Sequence, residues 1–303
     1  MRTVLITGAT GLIGQEIVKV CHENNWSVRY LTTSKHKLSN QDNYKGFYWN
    51  PSSKEIDISC FENVDTIINL VGATISKRWT PDYKKEIISS RTETVKLLFD
   101  TIKAHSFPIE QMVSASAIGI YPSSQTNYYE EDFEKTSDSF LGHVVEKWEA
   151  AVDQFSSLGI KVSKIRIGLV LSREGGALPE IIKSMRFGAG AAFGDGQQWQ
   201  SWIHIEDLAK LFLHVADKNL EGVFNGVAPN PVSNNELTKA AAKVLRKPLI
   251  LPNIPKFVMK LVLGEMHLLL FESQRVSSQK IEETGFDFTH HHLGPTLADL
   301  LGQ

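Results

Sequence analysis

Gly8, Gly11 and Gly14 stand three residues apart in the string Thr7-Gly8-Ala9-Thr10-Gly11-Leu12-Ile13-Gly14, directly behind the apolar run Val4-Leu5-Ile6. The chemistry open to such a string is the holding of a diphosphate. Gly8 permits a tight turn from strand to helix, Gly11 lets the backbone approach an anion with no Cβ in the way, and Gly14 lets the helix pack closely on its strand. The free N–H groups of the first helical turn, around Thr10, Leu12 and Ile13, then face the phosphates. Ile13, Ile17, Val20 and Cys21 follow at helical spacing, and Ser27-Val28-Arg29-Tyr30-Leu31 supplies the next strand. Strand, glycines, helix and strand in that order describe a dinucleotide cradle.

The end of that second strand bears on which dinucleotide. An NAD site usually places Asp or Glu there to hold the ribose hydroxyls, whereas this chain has Thr32-Thr33-Ser34-Lys35. Hydroxyls and a lysine accept a 2′-phosphate that an acid would repel, so the expectation is NADP (NADPH) rather than NAD. On the helix expected over 80–105, opened by the cap, proline and acid of Thr80-Pro81-Asp82, residues Lys84, Ile88, Arg91, Val95, Leu98 and Ile102 form one stripe. Two cations on a sheet-facing stripe need partners: a phosphate or carboxylate in a cleft, or an internal carboxylate. His290-His291-His292 has no second ligand cluster near it in sequence, so it reads as a solvated loop, and no metal is expected.

The elements that must position these residues alternate. Strands are expected around Phe47-Tyr48-Trp49, over 64–72, at 111–114 and over 162–170, with a helix at 139–155. The 64–72 run is continuously apolar, as in a buried parallel strand. The fold class is therefore α/β, a Rossmann-type doubly wound parallel sheet with a smaller C-terminal substrate lobe. Residues 1–172, with 203–228 returning to them, form the dinucleotide-binding domain; 173–202 and 229–303 form the lobe, whose start is broken by glycine pairs and a Trp-rich stretch of the kind that folds over a pocket.

With 303 residues the chain can bury a sizeable core, and a formal charge of −2 gives no broad drive toward nucleic acid or anionic membrane. Two cysteines far apart, Cys21 on a helix stripe and Cys60 in a connecting segment, argue for a reducing, cytoplasmic setting. The chain opens at once on a strand, with no apolar signal region. The apolar stretch 257–271 contains Lys260, Glu265 and His267, which makes it too short and too charged to span a bilayer and reads as a core or subunit-contact helix. The expected partner is a small-molecule substrate, and the expected state a monomer or homodimer.

The glycine spacing resembles the extended members of the short-chain dehydrogenase/reductase superfamily. Further segments resemble an atypical branch of it, an epimerase family described as nucleoside-diphosphate-sugar epimerase-like: Tyr48-Trp49-Asn50-Pro51, Asn69-Leu70-Val71-Gly72-Ala73, Arg78-Trp79-Thr80, Ser90-Arg91, Ser114-Ala115-Ser116-Ala117-Ile118-Gly119, Trp148-Glu149-Ala150-Ala151, Ser201-Trp202-Ile203-His204-Ile205-Glu206-Asp207-Leu208, Asn225-Gly226-Val227-Ala228-Pro229 and Gln274-Arg275-Val276. The branch usually has Trp-Asp-Pro, so Asn50 is a departure.

Ordinary superfamily members use Tyr-x-x-x-Lys, in which the ammonium lowers the phenol's pKa. None of the seven tyrosines here has lysine four residues later, and alignment on Trp148-Glu149 puts Leu141 and Val145 at those positions. The resemblance places Ser116 at the catalytic serine, Leu70, Val71, Gly72 and Ala73 along the adenosine side of the cofactor, and Gly168 by the nicotinamide. It puts Trp202, His204 and Arg275 in the substrate pocket; Lys84 joins them from the helix stripe, Arg78 and Trp79 from the same cleft end, and Tyr121 is a further catalytic candidate because it follows the Ser116 strand. Ser114 and Ser116 could instead satisfy backbone groups at the strand end. The activity implied is an NADP-dependent oxidoreductase or epimerase acting on a small polar or nucleotide-linked substrate, and the alternative is a non-catalytic NADP(H)-binding sensor or regulatory partner.

Overall fold

The computed structural model describes residues 2–186 and 188–302. In chain order the strands are β1 (Thr3–Thr7), β2 (Ser27–Thr32), β3 (Asn40–Gln41), β4 (Tyr44–Asn50), β5 (Glu55–Ile56), β6 (Thr66–Asn69), β7 (Gln111–Ala117), β8 (Tyr128–Tyr129), β9 (Lys161–Ile167), β10 (Leu169–Leu171), β11 (Trp199–Gln200), β12 (Trp202–His204), β13 (Gly222–Gly226), β14 (Val232–Ser233) and β15 (Arg275–Val276). The central sheet runs β13-β9-β7-β6-β1-β2-β4-β3, with β5 on β4, and is parallel except where the short β3 and β5 meet β4. Strand order reverses between β1 and β6, so the loops after these two strands, at Gly8 and Leu70, open the crevice where a Rossmann sheet binds its ligand.

Helices α1 (Leu12–Glu23), α2 (Pro81–His105), α3 (Phe140–Asp153), α4 (Ala177–Arg186), α5 (Ile205–Asp217), α6 (Asn234–Val244) and α7 (Lys256–Leu263) follow from local signals. α1 buries Gly14, Ile17, Val20 and Cys21, one face of a 3.6-residue period. The Thr80 hydroxyl accepts the Tyr83 N–H at 3.2 Å to open α2, and Ser106 in the left-handed region closes it. α1 and α5 cover one face of the sheet and α2 and α3 the other. Between them lies the core of Val4, Ile6, Ile67, Ile68, Val113 and Ile165, aliphatic because parallel strands covered on both faces meet no water.

A second core gathers Leu178, Ile182 and Met185 of α4, Leu237 and Ala241 of α6, and Leu293, Leu297 and Leu300 of the C-terminal helix around Trp202. β13 lies in the central sheet beside β9, so the chain re-enters the sheet before completing this second cluster.

Of the two readings of 257–271, a core or a subunit-contact helix, the first is overturned: α7 holds no buried residue, and Phe257, Leu261 and Val262 are 67%, 80% and 64% exposed. Gly264, at φ 60°, ends α7 after eight residues, and only Met266, Leu268 and Leu269 beyond it turn in against Trp79, Ile87 and Val144. Among the described residues no helix is long and apolar enough to cross a membrane.

Candidate functional site

Gly8 adopts φ +76°, a conformation that L side chains rarely take, and its carbonyl accepts the Gly11 N–H at 3.0 Å, closing the turn. A Cβ on Gly14 would stand 2.2 Å from the Gly8 oxygen, so the close approach of helix to strand admits glycine alone. α1 begins without a side-chain cap and with no acid in its first turn, leaving its first N–H groups and positive dipole end without a side-chain partner among the described residues. These residues fit a diphosphate.

At the end of β2, Thr32 is buried with its hydroxyl accepting the Ser34 N–H at 3.2 Å, while Thr33 and Lys35 are exposed and the Lys35 ammonium lies 4.9 Å over the Tyr48 ring. A chain of side chains ties the central strand ends together: Thr7 Oγ1 donates to Asn69 Oδ1 at 2.8 Å, and Asn69 Nδ2 to Ser114 Oγ at 2.9 Å. Behind β6, the Ala73 N–H donates to Ser90 Oγ at 2.9 Å, and Arg91 lies so close over exposed Gly72 that a Cβ there would meet its guanidinium at 2.7 Å.

Arg91 and Lys84 have different partners. Lys84 lies 4.9 Å over Phe140 and reaches out to pair with Glu265, an exposed carboxylate at the surface. Arg91 donates to the carbonyls of Ile87 (2.8 Å) and Ala73 (3.2 Å) and lies 5.0 Å over Trp148, with no carboxylate partner among the described residues. Burial lowers its guanidinium to about 10, which leaves it cationic at neutral pH. An unpaired cation in a cleft is a place for an anion.

That cleft has a volume of about 200 Å³ and lies beyond the carboxyl ends of β7 and β9. Ala117 to Gly119 and Ile167 to Leu169 form its floor, α3 supplies Leu141, Val144, Val145 and Trp148, and the segment after residue 268 closes it with Leu269, Glu272 and Gln274. Gly168 permits the floor because a Cβ there would stand 2.2 Å from the Ser201 carbonyl oxygen. Leu141 and Val145, where the resemblance puts a phenol and an ammonium, are apolar wall.

The family model described as NAD dependent epimerase/dehydratase family matches residues 4–226, and a domain of unknown function, DUF1731, matches 254–300. The chain belongs to the NAD dependent epimerase/dehydratase family. It is 35% identical over 305 residues to an epimerase family protein of Staphylococcus aureus (strain MRSA252), covering 100% of both chains. A counterpart in Staphylococcus haemolyticus (strain JCSC1435) is 35% identical over 302 residues, with 99% of each chain covered. The solved human epimerase family protein SDR39U1 (isoform 2), crystallised with NADPH, superposes with a TM-score of 0.85 at 28% identity over 99% of each chain. A UDP-N-acetylglucosamine 4-epimerase from Bacillus cereus shares the fold, with a TM-score of 0.78 at 17% identity over 99% of this chain and 98% of that one.

Within this epimerase family fold, neither hydroxyl read as catalytic lines the cleft. Ser116 is 2% exposed and donates to Glu149 Oε1 at 2.5 Å. Glu149 in turn accepts from Arg166 Nε at 2.9 Å and Nη2 at 3.0 Å, while Arg166 Nη1 donates to the Tyr121 hydroxyl at 3.0 Å and that hydroxyl to Asn225 Oδ1 at 2.8 Å. Strand alternation is the cause, because Ser116 pairs in register with Arg166 and both point under α3. Burial pushes Tyr121 up to about 12. Burial also opposes ionisation of Glu149, but the Arg166 bonds outweigh it and hold the carboxyl below its ordinary range. Ser116 and Tyr121 thus belong to a buried ion-pair network.

Five more pocket candidates lie elsewhere. Trp202 is fully buried in the second core, its indole N–H donating to the Asn230 carbonyl at 2.9 Å. Trp79 is buried against Phe140 behind the wall, with its N–H on the Ile75 carbonyl at 2.9 Å, and Arg78 beside it is exposed. Arg275 is exposed and covers the outer face of Trp199, a cleft residue, at 4.6 Å. His204 caps α5, accepting the Glu206 N–H on Nδ1 at 3.2 Å, and stacks at 3.7 Å on His290. The histidine run is therefore more than a solvated loop: His204, His290 and Asp299 bring ligand atoms within 4.8 Å of one another. The accepted bond on Nδ1 leaves the proton on the buried, unpartnered Nε2, where a metal would need a lone pair.

Sequence reasoning passed over Glu149, Arg166 and Glu272. A carboxylate on the inward side of α3 and a cation within Ile165-Arg166-Ile167 were the available signals for the first two.

Proposed function

We propose that this protein is an NADP(H)-dependent oxidoreductase of the atypical short-chain dehydrogenase/reductase type, acting on a small substrate held in the 200 Å³ cleft. The observation that carries the reading is the uncapped, acid-free start of α1 above the Gly8, Gly11 and Gly14 turn, which offers N–H groups to a diphosphate. Thr10, Leu12 and Ile13 border that turn, and Leu70, Val71, Gly72, Ala73 and Gly168 border the path from it to the cleft. Thr33, Ser34 and Lys35 at the end of β2 would take the 2′-phosphate, with no acid to repel it. Arg91 supplies a positive charge toward a phosphate of the coenzyme or an anionic group of the substrate. When bound, the coenzyme supplies hydride; the chain itself orients it and excludes water with Leu141, Val144 and Trp148. That NADPH accompanies the solved human relative agrees with this reading. Buried, unpaired Cys21 and Cys60 agree with a cytoplasmic location.

Calorimetry of the purified chain with NADPH and NADH tests it. Binding of NADPH at least tenfold tighter than NADH is expected; equal affinities refute the NADP preference, and no binding of either refutes the function. The apolar wall at Leu141 and Val145 favours a second reading, in which the coenzyme is bound and sensed without turnover. Multiple turnovers on any small carbonyl compound exclude that reading.

A further inference from the structure

Transfer of hydride to a carbonyl carbon leaves an oxygen that must take up a proton, and Leu141 and Val145 offer none. Of the described residues that line the cleft, only Arg91 and Glu272 carry an ionisable side chain. Arg91 stays cationic and can donate hydrogen bonds without giving up its proton at neutral pH.

Glu272 is fixed from several sides. Its backbone N–H donates to the Leu268 carbonyl at 2.9 Å, and the next residue is pinned to the main domain, the Ser273 N–H on Ser123 Oγ at 3.0 Å and the Ser273 hydroxyl on the Ser124 carbonyl at 2.8 Å. Gln274 Nε2 reaches its carboxyl at 3.4 Å, and the hydroxyl of Ser139, the cap of α3, lies beside it. The carboxyl is thus tied to the helix that carries Leu141 and Val145, and no cation pairs with it among the described residues. Burial raises it above the ordinary carboxylate range.

We propose that Glu272 is the proton carrier of the cleft, and that the substrate is a small aldehyde or ketone with an apolar body. In the reducing direction the carboxyl O–H breaks as the substrate O–H forms, while the carbonyl carbon accepts hydride from a reduced nicotinamide dinucleotide. The products are an alcohol, the oxidised dinucleotide and a Glu272 carboxylate, which solvent protonates before the next turnover; oxidation of the alcohol runs the same transfers backwards. The 200 Å³ volume and the walls of Leu141, Val144, Val145 and Trp148 suit a compact substrate with an apolar body.

The assignment rests on the oxidoreductase reading, and two measurements separate their failures. Carboxyl NMR of isotope-labelled glutamate, on the full chain without coenzyme, should show a resonance titrating above the ordinary value of about 4.3 that is missing from Glu272→Gln, while that of Glu131, also raised by burial, persists in the variant. NADPH oxidation with benzaldehyde, hexanal and cyclohexanone should fall at least about a hundredfold in Glu272→Gln, with NADPH affinity unchanged and partial recovery in Glu272→Asp. An ordinary titration of Glu272, or a Glu272→Gln rate equal to wild type, overturns the assignment alone. A wild-type chain that oxidises NADPH with none of these carbonyls overturns the assignment and the oxidoreductase reading together.

Discussion

Replacing Glu149 with glutamine should unfold this protein far more readily than most single changes do, for a reason that can be worked from distances. The Glu149 carboxylate holds two parallel bonds from Arg166, at 2.9 and 3.0 Å, and a third from the Ser116 hydroxyl at 2.5 Å. Both charged side chains are under a tenth exposed. In Glu149→Gln the guanidinium keeps its neutral contacts with the Tyr121 hydroxyl and the Glu131 carbonyl but loses its counter-charge inside the fold. Breaking one side of such a buried pair costs about 3–5 kcal/mol. At about 2–4 °C per kcal/mol for chains of comparable size, the melting temperature should fall by roughly 6–20 °C. Replacing both partners together with methionine should restore much of the loss, because no charge is then left unpaired.

Circular dichroism melts at a series of pH values give the test its sign. The Glu149 pKa is lower in the folded chain than in the unfolded one, so its contribution is fully present above the unfolded value of about 4.3 and is lost as pH falls through the folded value. The gap between wild type and Glu149→Gln should therefore be widest at neutral pH and narrow in acid. A Glu149→Gln melt within about 1 °C of wild type at pH 7, or a gap that does not change with pH, would refute the account of the network.

Gly14→Ala forces a methyl to 2.2 Å from the Gly8 oxygen, so the loop must shift; NADPH affinity by calorimetry should drop at least tenfold, and unchanged binding would remove the loop from the site. Lys35→Glu should weaken NADPH by about tenfold while leaving NADH within twofold, since it places a negative charge where a 2′-phosphate is expected. Burial lowers the His204 pKa, with His290 adding to the shift and Asp207, Glu206 and Asp299 opposing it, so charging the ring costs stability as pH falls below its unfolded value near 6.5. His204→Gln should flatten the loss of stability between about pH 7 and 5 in denaturant titrations; an unchanged slope assigns that loss to other groups.

The parts of this fold that were legible in the sequence are those whose cause is local. Gly8 and Gly14 announce a turn because only glycine takes the positive φ of the first and the close helix approach at the second, and Thr80-Pro81 announces α2 because capping chemistry acts within four residues. The fate of 257–271 was not legible: whether an apolar run is buried depends on a surface elsewhere to receive it, and no residue of α7 is buried within this chain. Ser116 was misplaced for a related reason. The end of a strand could be read from the sequence, but which side its hydroxyl faces depends on register with Arg166, fifty residues on. The His204–His290 stack joins residues from a strand end and a distant loop, and neither is marked by its own neighbours.

The loss of the phenol and ammonium pair and the presence of a carboxyl in the same cleft have one physical explanation. Desolvation disfavours the charged form of an acid, so it raises every buried acid, and whether that helps depends on where the acid starts. A phenol begins near 10 and is driven further from neutrality, as Tyr121 shows by standing at about 12 even with Arg166 on its hydroxyl. Without a lysine to pull it back, a tyrosine at position 141 would suffer the same shift among Val144, Val145 and Trp148. A carboxyl begins near 4 and the same walls drive it toward neutrality, where an acid transfers protons best. Once Val145 stands in place of the ammonium, the apolar cleft is therefore a poor environment for a catalytic phenol and a suitable one for Glu272.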